Sequence, residues 1–246
     1  MNSDDDLAAG LAEEAGHRLL ALRAAGGDAG ALRHAGDRSS HEFLISELAR
    51  QRPGDAVLSE EGADDPARLR ASRVWIVDPL DGTREFGEPG RTDWAVHVAL
   101  WEQGELTAGA VALPAQGSVL STAAPPAPPG AGPRRTPRFV VSRTRPPEFV
   151  TRLAEKTGAE LVPLGSAGAK AAAVIRGEAE AYVHSGGQYE WDSAAPVAVA
   201  LAAGLHASRI DGSRLLYNQA PPSLPDILIC QAAIAGMLLE AISSVS

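Results

Sequence analysis

The segment Asp78-Pro79-Leu80-Asp81-Gly82-Thr83 places two carboxylates, a glycine and a hydroxyl directly behind the apolar run Val74-Trp75-Ile76-Val77. Carboxylate oxygens suit a hard cation, and Mg²⁺ in particular takes one or two carboxylates together with water and substrate phosphate. The apolar run reads as a buried strand that Pro79 ends, because proline offers no ladder donor. Gly82 permits a close approach. Thr83-Arg84-Glu85-Phe86 could then open a helix whose first N–H groups are unpaired and suit a phosphate oxygen. The plainer alternative is a strand-to-helix turn with an aspartate cap.

Two further acidic clusters bear on that choice. Val57-Leu58-Ser59-Glu60-Glu61-Gly62 sets a carboxylate pair at the end of another short apolar run. Glu190-Trp191-Asp192-Ser193-Ala194-Ala195 sets a third at the mouth of an Ala-rich helical pattern, where Asp192 also suits a helix N-terminus as cap and through the helix dipole. Each cluster alone reads as a cap; the case for a metal and phosphate site rests on the set.

The elements that must position these residues follow from periodicity and breakers. Leu7 to Ala25 reads as an amphipathic helix with Leu7, Leu11, Ala15, Leu19 and Leu22 on one face, stopped by Gly26-Gly27. A second helix is expected from Ser39, which has capping-box spacing to Glu42, with Phe43, Leu44 and Leu48 turned inward and Asp37 just before its start. Trp94–Trp101 and Leu106–Leu113, separated at Gln103-Gly104, suggest an antiparallel hairpin. The Pro-rich stretch 124–137 reads as a loop or linker between an α+β half, residues 1–123, and an α/β half, residues 138–246. In the second half, strands are expected at 139–142, 160–163 and 179–184, alternating with helices at 146–157, 166–176 and 192–203. An apolar stretch at 227–230 precedes a C-terminal helix.

The three acidic clusters, in this order and spacing, resemble the magnesium-dependent, lithium-sensitive phosphatase superfamily that includes inositol monophosphatases and fructose-1,6-bisphosphatases. Arg84-Glu85-Phe86, Gly165-Ser166-Ala167-Gly168-Ala169-Lys170 and the block Gly177 to His184 look like its CysQ branch of 3′(2′),5′-bisphosphate nucleotidases, with Val140-Val141-Ser142-Arg143 and Tyr217-Asn218 as weaker echoes. The resemblance implies an α/β protein built as a layered αβαβα sandwich. It implies two or three Mg²⁺ ions held by Glu60, Asp78, the Leu80 carbonyl, Asp81 and Asp192, with Asp37, Thr83 and Glu60 handling the attacking water. Gly82, Thr83, Arg84, Ser166, Lys170 and Asp192 would meet the substrate. For that branch this is 3′-phosphoadenosine 5′-phosphate, hydrolysed to AMP and phosphate in sulfur assimilation by in-line attack of a metal-activated water. Inositol 1-phosphate or fructose 1,6-bisphosphate as the main or a side substrate is the alternative, and a non-catalytic Mg²⁺ or nucleotide-binding regulator stands third. One departure is visible: where members commonly carry a lysine and a further acidic residue before Asp37, this chain has Gly26 to Gly30 and Arg33-His34-Ala35-Gly36, so Arg33 or Arg38 would have to supply the charge.

Composition sets the outer limits. The 246 residues, 45% hydrophobic, suffice for an extensive core. A net charge of −9 argues against a nucleic-acid polymer as partner, which needs a basic face, but not against a small phosphate monoester neutralised locally. The single cysteine, Cys230, sits in an apolar run and reads as a buried strand residue, while His184 and His206 read as structural or surface residues. The acidic N-terminus and the lack of a long apolar stretch give the expectation of a cytoplasmic protein with no membrane contact. Because members of the family often pair, a homodimer is one option.

Overall fold

The structure, a computed structural model, describes residues 3–128 and 136–245. Two helices come first, α1 (Asp4–Ala25) and α2 (Ala29–Gln51), followed by a five-stranded sheet in sequential order: β1 (Ala56–Ser59), β2 (Arg73–Asp81), β3 (Ala95–Glu102), β4 (Glu105–Leu113) and β5 (Ser118–Ser121). β1 runs parallel to β2, and the remaining pairs are antiparallel. The short helix α3 (Thr83–Gly87) leaves the end of β2.

The second sheet has the order β7-β6-β8-β10-β9, from β6 (Arg138–Ser142), β7 (Glu160–Leu164), β8 (Ala181–Tyr189), β9 (His206–Ser208) and β10 (Ser223–Cys230). β6 lies parallel to both β7 and β8, and β10 runs antiparallel to β8 and β9. The connecting helices are α4 (Glu148–Thr157), α5 (Ala167–Ile175), α6 (Glu190–Ala202) and, at the C-terminus, α7 (Ala235–Ser243).

Alternation along each strand sorts the side chains into layers. In β2, Trp75 and Val77 pack with Leu7, Leu11, Leu19, Leu44 and Leu48 of α1 and α2 on the outer face. Val74 and Ile76 face the opposite way, into a core shared with Ala171 and Val174 of α5, Val197 of α6 and Ile227 of β10. Phe139 and Val141 of β6 close the far face of the second sheet against Val150 and Leu153 of α4 and Leu238 and Ile242 of α7. The result is the expected αβαβα sandwich, with α5 and α6 as the filling between the sheets. Small side chains let that layer sit close: a Cβ on Gly109 of β4 would lie 2.6 Å from the Ala198 Cβ of α6.

Three local expectations are corrected. α2 starts at Ala29, ten residues before Ser39, because the Asp28 carboxylate caps it by accepting from Gly30 N (2.9 Å) and Ala31 N (3.1 Å); Asp37 therefore lies inside the helix. β2 does not end at Pro79 but runs on to Asp81. The ladder to β3 is irregular between Asp78 and Asp81, so proline occupies a place where no donor is required. β5 and β9 are strands that periodicity did not announce. Of the Pro-rich stretch, residues 129–135 lie outside the described residues. Cys230 is buried in β10 as expected.

Candidate active site

Asp78 and Asp81 sit at the end of β2, Asp192 in the first turn of α6 and Glu60 just past β1, so three segments distant in sequence deliver four carboxylates to one point. One carboxylate oxygen from each of Asp78, Asp81 and Asp192 lies within 4.8 Å of the other two. Glu60 joins them through direct interaction of its carboxyl with that of Asp78. Burial, reinforced by Glu60, Asp81 and Asp192, pushes the Asp78 carboxyl well above the usual range. Burial also raises Glu60 to about 7, with Asp192, Asp81 and Glu61 adding to the rise and the bond to Asp78 opposing it. Asp192 is pushed up to about 6 by burial and by Asp81. Asp81 goes the other way: burial works to raise it, but the nearby His97 and Lys170 and the Gly168 N–H hold it below the ordinary value. Crowded carboxylates that cannot all ionise alone are relieved by a divalent cation, and an all-oxygen donor set suits a hard one. The residues present therefore fit a metal centre.

Beside this cluster, the Thr83 hydroxyl lies 3.2 Å from Asp37 Oδ1 and 3.1 Å from the Leu80 carbonyl oxygen. The Asp37 carboxyl is raised to about 6 by burial and by Glu61, against the bond from Thr83 and the pull of His34 and Arg33. Leu80 N donates to Asp78 Oδ1 at 3.0 Å, fixing the turn between the two aspartates. Gly82 has φ of 85°, and a Cβ there would come within 2.9 Å of the Ser166 Cβ, so glycine is required both for the turn and for the approach of α5.

The N-terminus of α5 abuts this cluster. Its donors are already engaged rather than open to a phosphate. Ala167 N and Gly168 N donate to the two oxygens of Asp81 at 3.1 and 2.6 Å, and Ala169 N donates to Ser166 Oγ at 2.9 Å. Gly165 N and Ser166 N are taken by Asp93, through Oδ2 at 2.6 Å and the carbonyl at 3.2 Å. Ser166 is thus an N-cap, 3% exposed. Lys170 is 4% exposed, with Nζ donating to the carbonyls of Gly165 and Ser166 and lying 5.3 Å from the Tyr182 ring centroid. Both still line a cleft shared with Asp81, Gly82, Thr83, Arg84 and Asp192. His184, expected to be structural or at the surface, lines the same cleft. Arg84 is exposed at its rim.

The sequence assigns no role to two residues of the site, His97 and Arg143. His97 on β3 is fully buried, its Nε2 3.2 Å from Asp81 Oδ2 and its Nδ1 3.0 Å from the Trp191 carbonyl oxygen, so it touches one candidate ligand and the chain neighbour of another. The available signal was a lone histidine in the apolar run Ala95 to Leu100, where a buried ring needs polar partners. Arg143, at the end of β6, binds Glu85 and Glu88 at 2.6 Å each and so ties the second sheet to α3.

The family model described as the inositol monophosphatase family matches residues 8–125 and 135–245. The chain belongs to that family. The 3′-phosphoadenosine 5′-phosphate phosphatase of Mycobacterium bovis is 54% identical over 244 residues, covering 94% of this chain and 90% of that protein. Its counterpart from Mycobacterium leprae is 52% identical, covering 99% and 94%. The 3′(2′),5′-bisphosphate nucleotidase CysQ of Salmonella typhimurium is 33% identical over 75% of this chain and 78% of its own length. Among solved structures, CysQ from Bacteroides thetaiotaomicron superimposes with a TM-score of 0.76 at 26% identity, covering 92% of this chain and 96% of that one. Inositol monophosphatase II from Staphylococcus aureus superimposes with 0.78 at 23% identity, covering 98% and 96%, which shows a shared fold. Inositol monophosphatase family members are metal-dependent, and the acidic cluster of this chain could hold such a metal.

Proposed function

We propose that this chain is a Mg²⁺-dependent phosphomonoesterase that hydrolyses 3′-phosphoadenosine 5′-phosphate to AMP and phosphate. The observation that carries the reading is the convergence of Asp78, Asp81 and Asp192 beside the Thr83–Asp37 pair, in a cleft lined by both halves of the chain. The names of the mycobacterial and CysQ relatives support the choice of substrate. Glu60, Asp78, the Leu80 carbonyl, Asp81 and Asp192 would hold two or three ions. When bound, the ions supply charge neutralisation for the phosphoryl oxygens and lower the pKa of water. The chain's own part is orientation. The Thr83 hydroxyl donates to Asp37 and can accept from a water, which aims that water's lone pair at phosphorus without a histidine base. Glu60, exposed and in contact with Asp78, would share in the same proton traffic. Arg84 stands at the rim to meet phosphate oxygens, and the tight Gly82 turn brings Thr83 alongside them.

The test is phosphate release from 3′-phosphoadenosine 5′-phosphate, inositol 1-phosphate and fructose 1,6-bisphosphate, side by side, with Mg²⁺ and after chelation. The nucleotide is expected to give the highest kcat/KM, with activity lost on chelation, restored by Mg²⁺ and inhibited by lithium. A higher kcat/KM on either of the other two substrates would overturn the choice of substrate. Turnover that survives chelation, or complete insensitivity at high lithium, would count against the mechanism.

A further inference from the structure

We propose that Arg145 seats the second, non-reacting phosphate of the substrate and thereby sets a preference for a doubly phosphorylated nucleotide over a simple monoester; this rests on the function proposed above. The argument starts from what the cleft can still offer an anion. Among the described residues, the cationic side chains lining it are Arg84, Arg143, Arg145 and Lys170. Arg143 is committed, since Glu85 and Glu88 take its Nε and one terminal nitrogen. Lys170 is buried and turned to two backbone carbonyls. The α5 backbone donors that could have cradled a phosphate are filled by Asp81, Asp93 and the Ser166 hydroxyl. His184 contributes no charge near neutrality, because burial and the neighbouring Lys170 and Arg145 push its pKa down to about 4.

Two guanidiniums remain. Arg84 follows Thr83 directly and so belongs to the end of the cleft where the ester is cleaved. Arg145 stands on the loop after β6, on the wall built by the second sheet. It is exposed, its backbone N–H is held by the Ser142 hydroxyl at 3.2 Å, and its side chain meets no carboxylate among the described residues. A planar fork with open donors matches phosphate oxygens in a two-point contact. An uncommitted arginine beside a committed one two residues earlier divides the labour: Arg143 joins the halves of the fold, and Arg145 faces the ligand.

The experiment compares kcat/KM for 3′-phosphoadenosine 5′-phosphate with that for adenosine 3′-phosphate, which lacks the second phosphate, in the wild-type enzyme and in Arg145→Ala and Arg145→Lys. Reading the ratio within each protein cancels any general loss. The wild type is expected to favour the bisphosphate, and Arg145→Ala to lower that ratio roughly tenfold, chiefly through KM. Arg145→Lys should recover part of it, since the charge is kept and the fork lost. Added salt should erode the wild-type ratio more than that of Arg145→Ala. A ratio unchanged within about twofold in Arg145→Ala, or equal losses on both substrates, would overturn the assignment. A wild type that cleaves inositol 1-phosphate and neither nucleotide would instead defeat the function proposed above, so the two failures are distinguishable.

Discussion

Replacing Arg143 by alanine should loosen the joint between the two halves of the sandwich. Arg143 Nε donates to Glu85 Oε1 and a terminal nitrogen to Glu88 Oε1, both at 2.6 Å. The Glu85 side chain is only 8% exposed, whereas that of Glu88 is 41% exposed. The surface-facing pair contributes little, about 0–1 kcal/mol. Stranding the buried Glu85 charge costs far more, about 3–5 kcal/mol for a fully buried pair. Arg143 itself is 23% exposed, so water can partly re-solvate the hole, and a loss of about 2–3 kcal/mol is the expected outcome. For a protein of this size each kcal/mol is worth about 2–4 °C, which predicts a fall in Tm of about 4–12 °C. Because Glu85 lies on α3 two residues after Thr83, phosphate release should also slow through kcat. Thermal melting of Arg143→Ala, Glu85→Ala and the double variant decides the matter. The double variant should be less destabilised than the sum of the singles by at least about 1 kcal/mol, since the stranded charge is then gone. Strict additivity, or a Tm for Arg143→Ala within a degree of wild type, would refute the clamp.

Other consequences are as direct. Gly168→Ala would place a Cβ 2.2 Å from His97 Nε2 and 2.9 Å from the Ala95 Cβ, so overpacking of about 1–3 kcal/mol should appear in melting curves. Asp81→Asn should abolish Mg²⁺-dependent turnover. It should also destabilise the chelated protein, because its NH₂ would face an N–H of Ala167 or Gly168 and leave a buried donor unpaired, at about 1–3 kcal/mol; a near-normal rate would defeat its role as a ligand. Burial pushes the Cys230 thiol up to about 12, so iodoacetamide at pH 8 should leave the native protein unlabelled and modify it fully in denaturant, as mass spectrometry would record.

Much of this site is legible in the sequence because its acidic residues follow local punctuation. Asp78 and Asp81 trail an apolar run, Glu60 trails another, and Asp192 opens a helix, so strand ends and caps locate them without tertiary information. Misreadings arose where tertiary context outweighed a local rule. Pro79 reads locally as a stop, yet the irregular ladder at Asp78–Asp81 lets the strand absorb it. Ser39 and Glu42 have capping-box spacing, but the Asp28 carboxylate caps the helix ten residues earlier, in a stretch whose glycines weaken any helical pattern. Nothing local to α5 says that Asp81 and Asp93, from the other half of the chain, fill the donors at its start. His97 and Arg143 act only through partners that folding brings to them, and no spacing in the sequence encodes that.

The two hydrogen bonds that Asp81 accepts from the first turn of α5 separate it from its neighbour Asp78. Asp81 joins β2 to α5 whether or not an ion is bound, while Asp78, whose bond from Leu80 N stays within its own turn, is hemmed in by like charges and costs stability in a protein that binds none. A descendant that abandoned catalysis would be expected to shed Asp78 early and keep Asp81 for the helix. An aspartate at the second position alone is therefore poor testimony that a distant cousin still works, whereas the first one is the better witness.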